Sequence, residues 1–276
     1  MRISSLTALA AASLALAGCR AASPVPAPDA SRPLRVLVYN IHAGKDAGGV
    51  DNLARVAAIV KESDADIALL QEVDRGTRRS GGVDQPAVLA RETGRHVAFG
   101  RTLDYDGGQY GIAILSRWPI RTDTLVHLPI SPPQQRAGGS YEPRGALVAA
   151  IDAPGEVLHV VNTHLDASGT DLYRSQEVRT IVHIADSLRA LRPAGRLLIG
   201  GDFNSTPESA VQQVVRDAKL RDAWTACGSG EGFSFPANVP RKRIDYLLLD
   251  GGSCRNARVL ETQASDHRPV FVEVTR

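Results

Sequence analysis

Short apolar runs rich in Val, Ile and Leu recur along the chain, and four of them stop at clusters of polar side chains. Val36-Leu37-Val38 runs into Tyr39-Asn40-Ile41-His42, and Ile67-Ala68-Leu69-Leu70 into Gln71-Glu72. The run at 157–161 ends in Asn162-Thr163-His164-Leu165-Asp166, and Leu197-Leu198-Ile199 leads to Gly201-Asp202-Phe203-Asn204. β-branched runs of this length, bounded by turn formers, predict strands. Strands are expected at 34–39, 67–71, 97–100, 111–116, 120–127, 145–151, 157–162, 197–201, 244–249, 258–262 and 270–274. Helical spacing puts Leu53, Val56, Ala57 and Val60 on one face, which predicts a helix over 50–63 started by Asp51. Further helices are expected over 85–93, over 171–189 and after Pro207, with Thr206 as cap and Pro207 in the first turn. Hairpins fill the spaces between helices, a pattern that suits two packed mixed sheets better than a doubly wound sheet. The absence of a Gly-rich phosphate loop removes the basis for ATP or NAD chemistry.

The first 33 positions follow another pattern. Met1-Arg2 is a positive start, 3–17 is an Ala/Leu stretch too short to span a bilayer, and Leu16-Ala17-Gly18-Cys19 matches a bacterial lipobox. A lipoprotein signal over 1–18 is therefore expected, with cleavage before Cys19 and lipid attached to that residue. The stretch 19–33, with Pro24, Pro26, Pro28 and Pro33, supports neither helix nor ladder and predicts a semi-rigid tether. The folded domain is then 34–276, a single α/β core held at the cell envelope, and Arg20 after the lipobox is compatible with outer-membrane sorting.

Composition narrows the partners. Lys and Arg number 32 against 30 Asp and Glu, and removing 1–18 takes away only Arg2. A nearly neutral domain weighs against a dedicated nucleic-acid binder with a basic face. Beyond Cys19 the cysteines are Cys227 and Cys254. An exported pair is available for a disulfide, although the spacing does not establish that the two meet.

Taken singly, an Asn or Asp after a strand is usually a turn or cap residue, and His164 alone would be an ordinary histidine. The set reads differently. Glu72, Asp202, Asn204, His164 and His267 at strand ends supply what metal-assisted phosphoester hydrolysis requires. That is a hard oxygen ligand for a divalent cation, a group that moves a water proton, and donors for charge on phosphate oxygens. Glu72 follows an apolar run expected to be buried on both faces, where a carboxylate is costly unless it holds a cation or a strong donor. Arg243-Ile244-Asp245-Tyr246 and Ser265-Asp266-His267-Arg268-Pro269 complete the set.

In order and wording these motifs resemble the endonuclease/exonuclease/phosphatase superfamily across 34–274. That superfamily includes DNase I-like nucleases, exonuclease III-like AP endonucleases, neutral sphingomyelinases and inositol polyphosphate 5-phosphatases. The resemblance implies an α/β fold, a four-layer α/β/β/α sandwich of two mixed β-sheets flanked by helices. It places Asn40 and Glu72 at the metal motifs, with Mg²⁺ or Mn²⁺ as the ion and Asp266 as a further ligand. It pairs Asp245 with His267, gives His164 a phosphate oxygen, and lets Asp202 and Asn204 orient water. Two apart, Asp202 and Asn204 point to the same side if strand geometry continues. His42 stands where AP endonucleases often carry an acid, and is taken with Tyr110 and Arg144, in loops at strand starts, as substrate-binding. His127, His159 and His183 carry no motif.

The expected function is an exported, membrane-anchored, divalent-metal-dependent phosphoesterase. A lipid-linked or small phosphoester is the favoured substrate, and the motif spacing also resembles bacterial members related to proteins of GPI-anchor remodelling. An extracytoplasmic DNase-like nuclease is the alternative, with Arg75, Arg78 and Arg79 as DNA contacts and a solvated loop as their plainer reading. A non-catalytic envelope binding protein is the third hypothesis. The joint presence of Asn40, Glu72, His164, Asp202, Asn204, Asp245 and His267 argues against it.

Overall fold

The computed structural model describes residues 32–132, 142–191 and 196–275. The lipobox, Cys19 and the tether up to position 31 lie outside the described residues. Among the described residues no helix is long and apolar enough to cross a membrane.

The strand β1 (Leu34–Asn40) shows how the layers arise. Val36 and Val38 pack into one core while Leu37 and Tyr39 pack into another, so both faces of the strand are covered. Its sheet also contains β2 (Ile67–Arg75), β3 (His96–Tyr105), β4 (Gly108–Ser116), β11 (Cys254–Val259) and β12 (Val270–Val274), in the order β11-β12-β1-β2-β4-β3. The second sheet has the order β5-β6-β7-β8-β10-β9. Its members are β5 (Ile120–Leu128), β6 (Arg144–Ala153), β7 (Glu156–His164), β8 (Leu197–Asp202), β9 (Arg221–Asp222) and β10 (Asp245–Asp250). The pairs β1–β2 and β7–β8 are parallel, and the other pairs are antiparallel.

Three cores separate four layers. Between the sheets lie Val36, Val38, Leu69, Leu147, Val160 and Leu247. The outer face of the first sheet buries Leu37, Leu70 and Phe271 against Val56, Ile59 and Val60 of α1 (Leu53–Glu62) and Leu89 of α2 (Gln85–Thr93). The outer face of the second buries Val161, Ile199 and Leu248 against α3 (Leu172–Leu191) and α4 (Ala210–Asp217). Burying a side chain such as Leu69 contributes about 1.5–3 kcal/mol.

The expected sandwich is therefore present, with local corrections. The first helix begins at Leu53 after Asn52, because Asp51 instead pairs with Lys45 at 2.7 Å. The helix expected from Pro207 begins at Ala210, where the Ser209 hydroxyl accepts the Gln212 amide and takes the cap from Thr206. The strand expected over 258–262 lies at Cys254–Val259, beside β12. A short strand β9 and the helix α5 (Ala223–Cys227) were not legible in the periodicity, being too short to display one. Cys227, at the end of α5, is disulfide-bonded to Cys254 at the start of β11, across a Cα separation of 5.9 Å.

Parallel pairing sends the ends of β1 and β2 to one edge, where Asn40 lies opposite Gln71, and places His164 opposite Asp202 at the ends of β7 and β8. Antiparallel pairing brings Asp245, at the start of β10, opposite Asp202. Since β12 runs antiparallel to β1 with Val270 opposite Val38, the residues just before it reach the same edge. There the Ser265 hydroxyl donates to the Asn40 carbonyl at 2.8 Å.

Candidate active site

Two backbone features aim the site residues. β2 is irregular between Leu70 and Val73, where its pairing with β4 shifts, and Glu72 takes a φ of 55°. A bulge re-aims a side chain that regular pleating would send elsewhere, and a non-glycine residue in the left-handed region is a strain that packing must hold. Asn204 (φ 48°) and His42 (φ 49°) share that conformation. Gly201, at φ 147°, is required for a different reason. A Cβ there would lie 1.9 Å from the Thr163 carbonyl oxygen, so only glycine lets β8 approach β7 closely enough to bring Asp202 beside His164.

Asp202 is the centre of the arrangement. Its Oδ2 lies 3.6 Å from Nε2 of His164 and 3.6 Å from Nε2 of His267. The same oxygen accepts the Asn40 side-chain amide at 3.1 Å, and Oδ1 accepts the Asn204 backbone amide at 2.8 Å. Asn40 Nδ2 also reaches Glu72 Oε1 at 3.0 Å, while its own oxygen accepts the His42 N–H at 3.1 Å. That backbone donor fixes which way the amide points, so Asn40 joins the two carboxylates through its nitrogen.

The two histidines are oriented by opposite means. Nδ1 of His267 donates to Asp245 Oδ2 at 2.9 Å, and Ser234 Oγ donates to the same oxygen at 2.6 Å. Arg144 Nη1 meets His164 Nδ1 at 3.1 Å. A guanidinium only donates, so that Nδ1 accepts and the proton of His164 sits on Nε2, facing Asp202. The Phe235 ring packs 4.7 Å from the His267 ring and keeps it dry on one side.

Burial and charge set the protonation states. Burial raises the Asp202 carboxyl well above the usual range and the neighbouring Asp245 raises it further, against the pull of His267 and the donors Asn204 and Asn40. For His267, burial opposes the charge, but Asp245 and Asp202 overcome it and push the imidazole up to about 10.

Glu72, Tyr110, Arg144, His164, Asp202, Asn204, Asp266 and His267 line one cavity of ≈ 610 Å³, with Asn40 and Asp245 buried behind them. His42 stands outside that lining, because its left-handed backbone turns the ring to the Asp46 carbonyl at 3.4 Å and to Asp266 at 4.0 Å. The side chain of Asn204 does not repeat the direction of Asp202. The strand ends at Asp202, and Asn204 Nδ2 binds the Leu165 carbonyl at 3.0 Å. Tyr110 and Arg144 belong to β4 and β6 themselves, not to the loops before them.

Ser234 and Phe235 are site residues the sequence did not single out, and Arg79, read there only as a DNA contact or a solvated loop residue, and Glu142 also line the cavity. Glu142 ion-pairs Arg144 at 2.7 Å, and its only signal was its place two residues before that arginine. Ser234 and Phe235 carried none, since a loop residue reaching across to Asp245 has no periodicity.

The residues present fit a hard divalent cation. Ligand atoms of Asp202, Asp245 and His267 lie within 4.8 Å of one another, Asp245 Oδ1 is buried without a hydrogen-bond partner among the described residues, and Glu72 and Asp266 add carboxylates at the cavity. Oxygen-rich, acid-rich surroundings of this kind suit Mg²⁺ or Mn²⁺.

A two-sheet sandwich with carboxylates and paired histidines converging at one strand edge defines a phosphoester-hydrolase type of site. The chain belongs to the Endonuclease/Exonuclease/phosphatase family, whose model matches residues 37–267. Members of that family are hydrolases acting on phosphoesters, generally with a divalent metal. The chain is similar to the protein YbhP of Escherichia coli, 26% identical over 254 residues that cover 87% of this chain and 95% of YbhP. In fold it resembles an endonuclease/exonuclease/phosphatase from Beutenbergia cavernae, with a TM-score of 0.74 and 23% identity over 88% of this chain and 72% of that one. It also resembles the mannosyl-6-phosphatase of Bacteroides thetaiotaomicron, with a TM-score of 0.73 and 19% identity over 88% of this chain and all (100%) of the other.

Proposed function

We propose that the chain is an exported, lipid-anchored, divalent-metal-dependent phosphoesterase acting on a small or lipid-linked phosphoester. The observation that carries this reading is the position of Asp202 Oδ2, 3.6 Å from the Nε2 atoms of both His164 and His267 at the floor of the cavity. Glu72 and Asp266 are the carboxylates that would hold Mg²⁺ or Mn²⁺, and the bound ion would polarise a phosphoryl oxygen as a Lewis acid. Asp202, with its raised carboxyl, is suited to take a proton from water. His267 as imidazolium, His164 through Nε2–H and the buried Arg144 supply donors for the oxygens on which charge develops. Asp245 and Ser234 hold the His267 ring in place.

The nuclease alternative loses support at its own arginines. Arg78 pairs with Asp106 at 2.9 Å, and Arg75 binds Gln109 and lies 4.6 Å over the Phe99 ring, so two of its three arginines are already engaged by neighbours outside the cavity. The solved neighbour that is a mannosyl-6-phosphatase supports a small sugar-phosphate type of substrate on the same scaffold. Export draws support from the Cys227–Cys254 bond, which suits an oxidising compartment. Cys19→Ser should abolish incorporation of labelled fatty acid, and equal labelling of both forms would remove the anchor from this reading.

The test of activity is a screen of the purified protein with Mg²⁺ and Mn²⁺ against bis(p-nitrophenyl) phosphate, sugar phosphates, phosphatidylinositol, sphingomyelin and DNA. Turnover of small or lipid phosphoesters is expected to exceed that of DNA. DNA as the best substrate, cleaved with a steep salt dependence, would replace this reading with the nuclease one.

A further inference from the structure

Arg79 takes no part in the reaction set out above, yet it lines the same cavity as Glu72, Arg144 and His164. Its neighbours in sequence, Arg75 and Arg78, do not. The guanidinium is held edge-on. Nε and Nη2 each donate at 2.7 Å to the carboxylate of Asp74, which is fully buried (0%) and also accepts the Thr77 hydroxyl at 2.7 Å. Two aromatic rings that touch each other pack against it, with Cζ 4.6 Å from the centroid of Tyr105 and 5.2 Å from that of Tyr110.

The edge facing Asp74 is inside the protein, whereas the Arg79 side chain as a whole retains 32% exposure. Among the described residues Nη1 makes no hydrogen bond, and the side chain stands on the wall of the catalytic cavity. An arginine that only neutralised Asp74 would need neither the aromatic cover nor the place on that wall. Fixing the fork beforehand removes most of the rotamer entropy that an exposed arginine loses on binding, so an anion meeting Nη1 gains more than at a free surface arginine. The acids on the same wall are engaged elsewhere. Asp104 pairs with Arg101 at 2.8 Å, and Glu142 pairs with Arg144 at 2.7 Å.

We propose that Arg79 is a specificity-determining residue, forming a subsite for a second anionic group on the substrate beside the scissile phosphoester. This deepens the phosphoesterase reading and rests on it. The substrate class it selects is a phosphoester whose remaining part bears another phosphate or a carboxylate. A cationic headgroup such as choline would be disfavoured at the same guanidinium.

The experiment measures inhibition constants of fructose 1,6-bisphosphate and fructose 6-phosphate against bis(p-nitrophenyl) phosphate turnover in saturating Mg²⁺, for the wild type, Arg79→Lys and Arg79→Gln. A charge-assisted hydrogen bond corresponds to roughly a ten-fold or larger effect, so the wild type is expected to bind the bisphosphate at least about 10-fold more tightly. Both variants should bring that ratio close to one. Arg79→Lys keeps a cation opposite Asp74 and so guards against misfolding, with thermal melting as the control. Equal inhibition by the two sugars in the wild type, or a ratio that survives both substitutions, overturns the subsite while leaving the phosphoesterase reading in place. A wild type that hydrolyses no phosphoester with either metal ends that reading, and the subsite with it.

Discussion

At the scale of single residues, the site is held by pairs. Asp245 and His267 share one hydrogen bond of 2.9 Å, so they should act as a unit. Replacing either, as Asp245→Asn or His267→Gln, should lower kcat on the order of 10²–10⁴, and the double variant should cost little more than the worse single one. Steady-state kinetics on the three variants, with circular dichroism as fold control, checks this, and multiplicative losses would separate the two roles. The same histidine predicts a pH dependence of stability. Its folded value is raised from an ordinary 6.5 to about 10, so its contribution is present in full below about pH 6.5 and is lost as pH rises through 10. In metal-free protein the stability difference between wild type and His267→Gln should shrink between pH 6 and pH 10. The change should be on the order of a few kcal/mol by urea denaturation. A difference independent of pH would contradict the charged imidazole.

At the scale of elements, the sequence was most legible where a strand ended in chemistry. Val36-Leu37-Val38 and Leu197-Leu198-Ile199 announced β1 and β8, and the polar residues at their ends do converge across the two sheets, with Asn40 Nδ2 3.1 Å from Asp202 Oδ2. Legibility failed where the backbone left the regular period. The left-handed φ of Glu72, Asn204 and His42 breaks the alternation from which side-chain direction is read, which is why His42 was placed in the cavity and Asn204 alongside Asp202. Contacts across long sequence separations, such as Ser234 on Asp245 or Arg144 on His164, leave no trace in periodicity. The closeness of β7 and β8 gives a direct test. Gly201→Ala places a methyl against the Thr163 carbonyl, so it should destabilise the fold by about 1–3 kcal/mol and reduce turnover through the displaced Asp202–His164 pair. Unchanged melting temperature and turnover would show that the approach is looser than described.

At the scale of the whole molecule, two sheets contribute unequal parts to one reaction centre. The first brings Glu72 from the irregularity inside β2, Asn40 from the end of β1 and His267 from just before β12, and the second brings His164, Asp202 and Asp245. The inter-sheet core of Val38, Leu69, Val160 and Leu198 fixes their separation, so the chemistry depends on packing far from any substrate. The central claim is that the acids at this junction form a divalent-metal phosphoesterase site. It is tested most directly by the rate of bis(p-nitrophenyl) phosphate hydrolysis as a function of Mn²⁺ concentration, for the wild type and Glu72→Gln, starting from chelator-treated protein. The account predicts no turnover in EDTA and saturable recovery with Mn²⁺. It also predicts that Glu72→Gln needs at least about 10-fold more metal or stays inactive. Full turnover in EDTA, or superimposable metal curves for the two proteins, would contradict it.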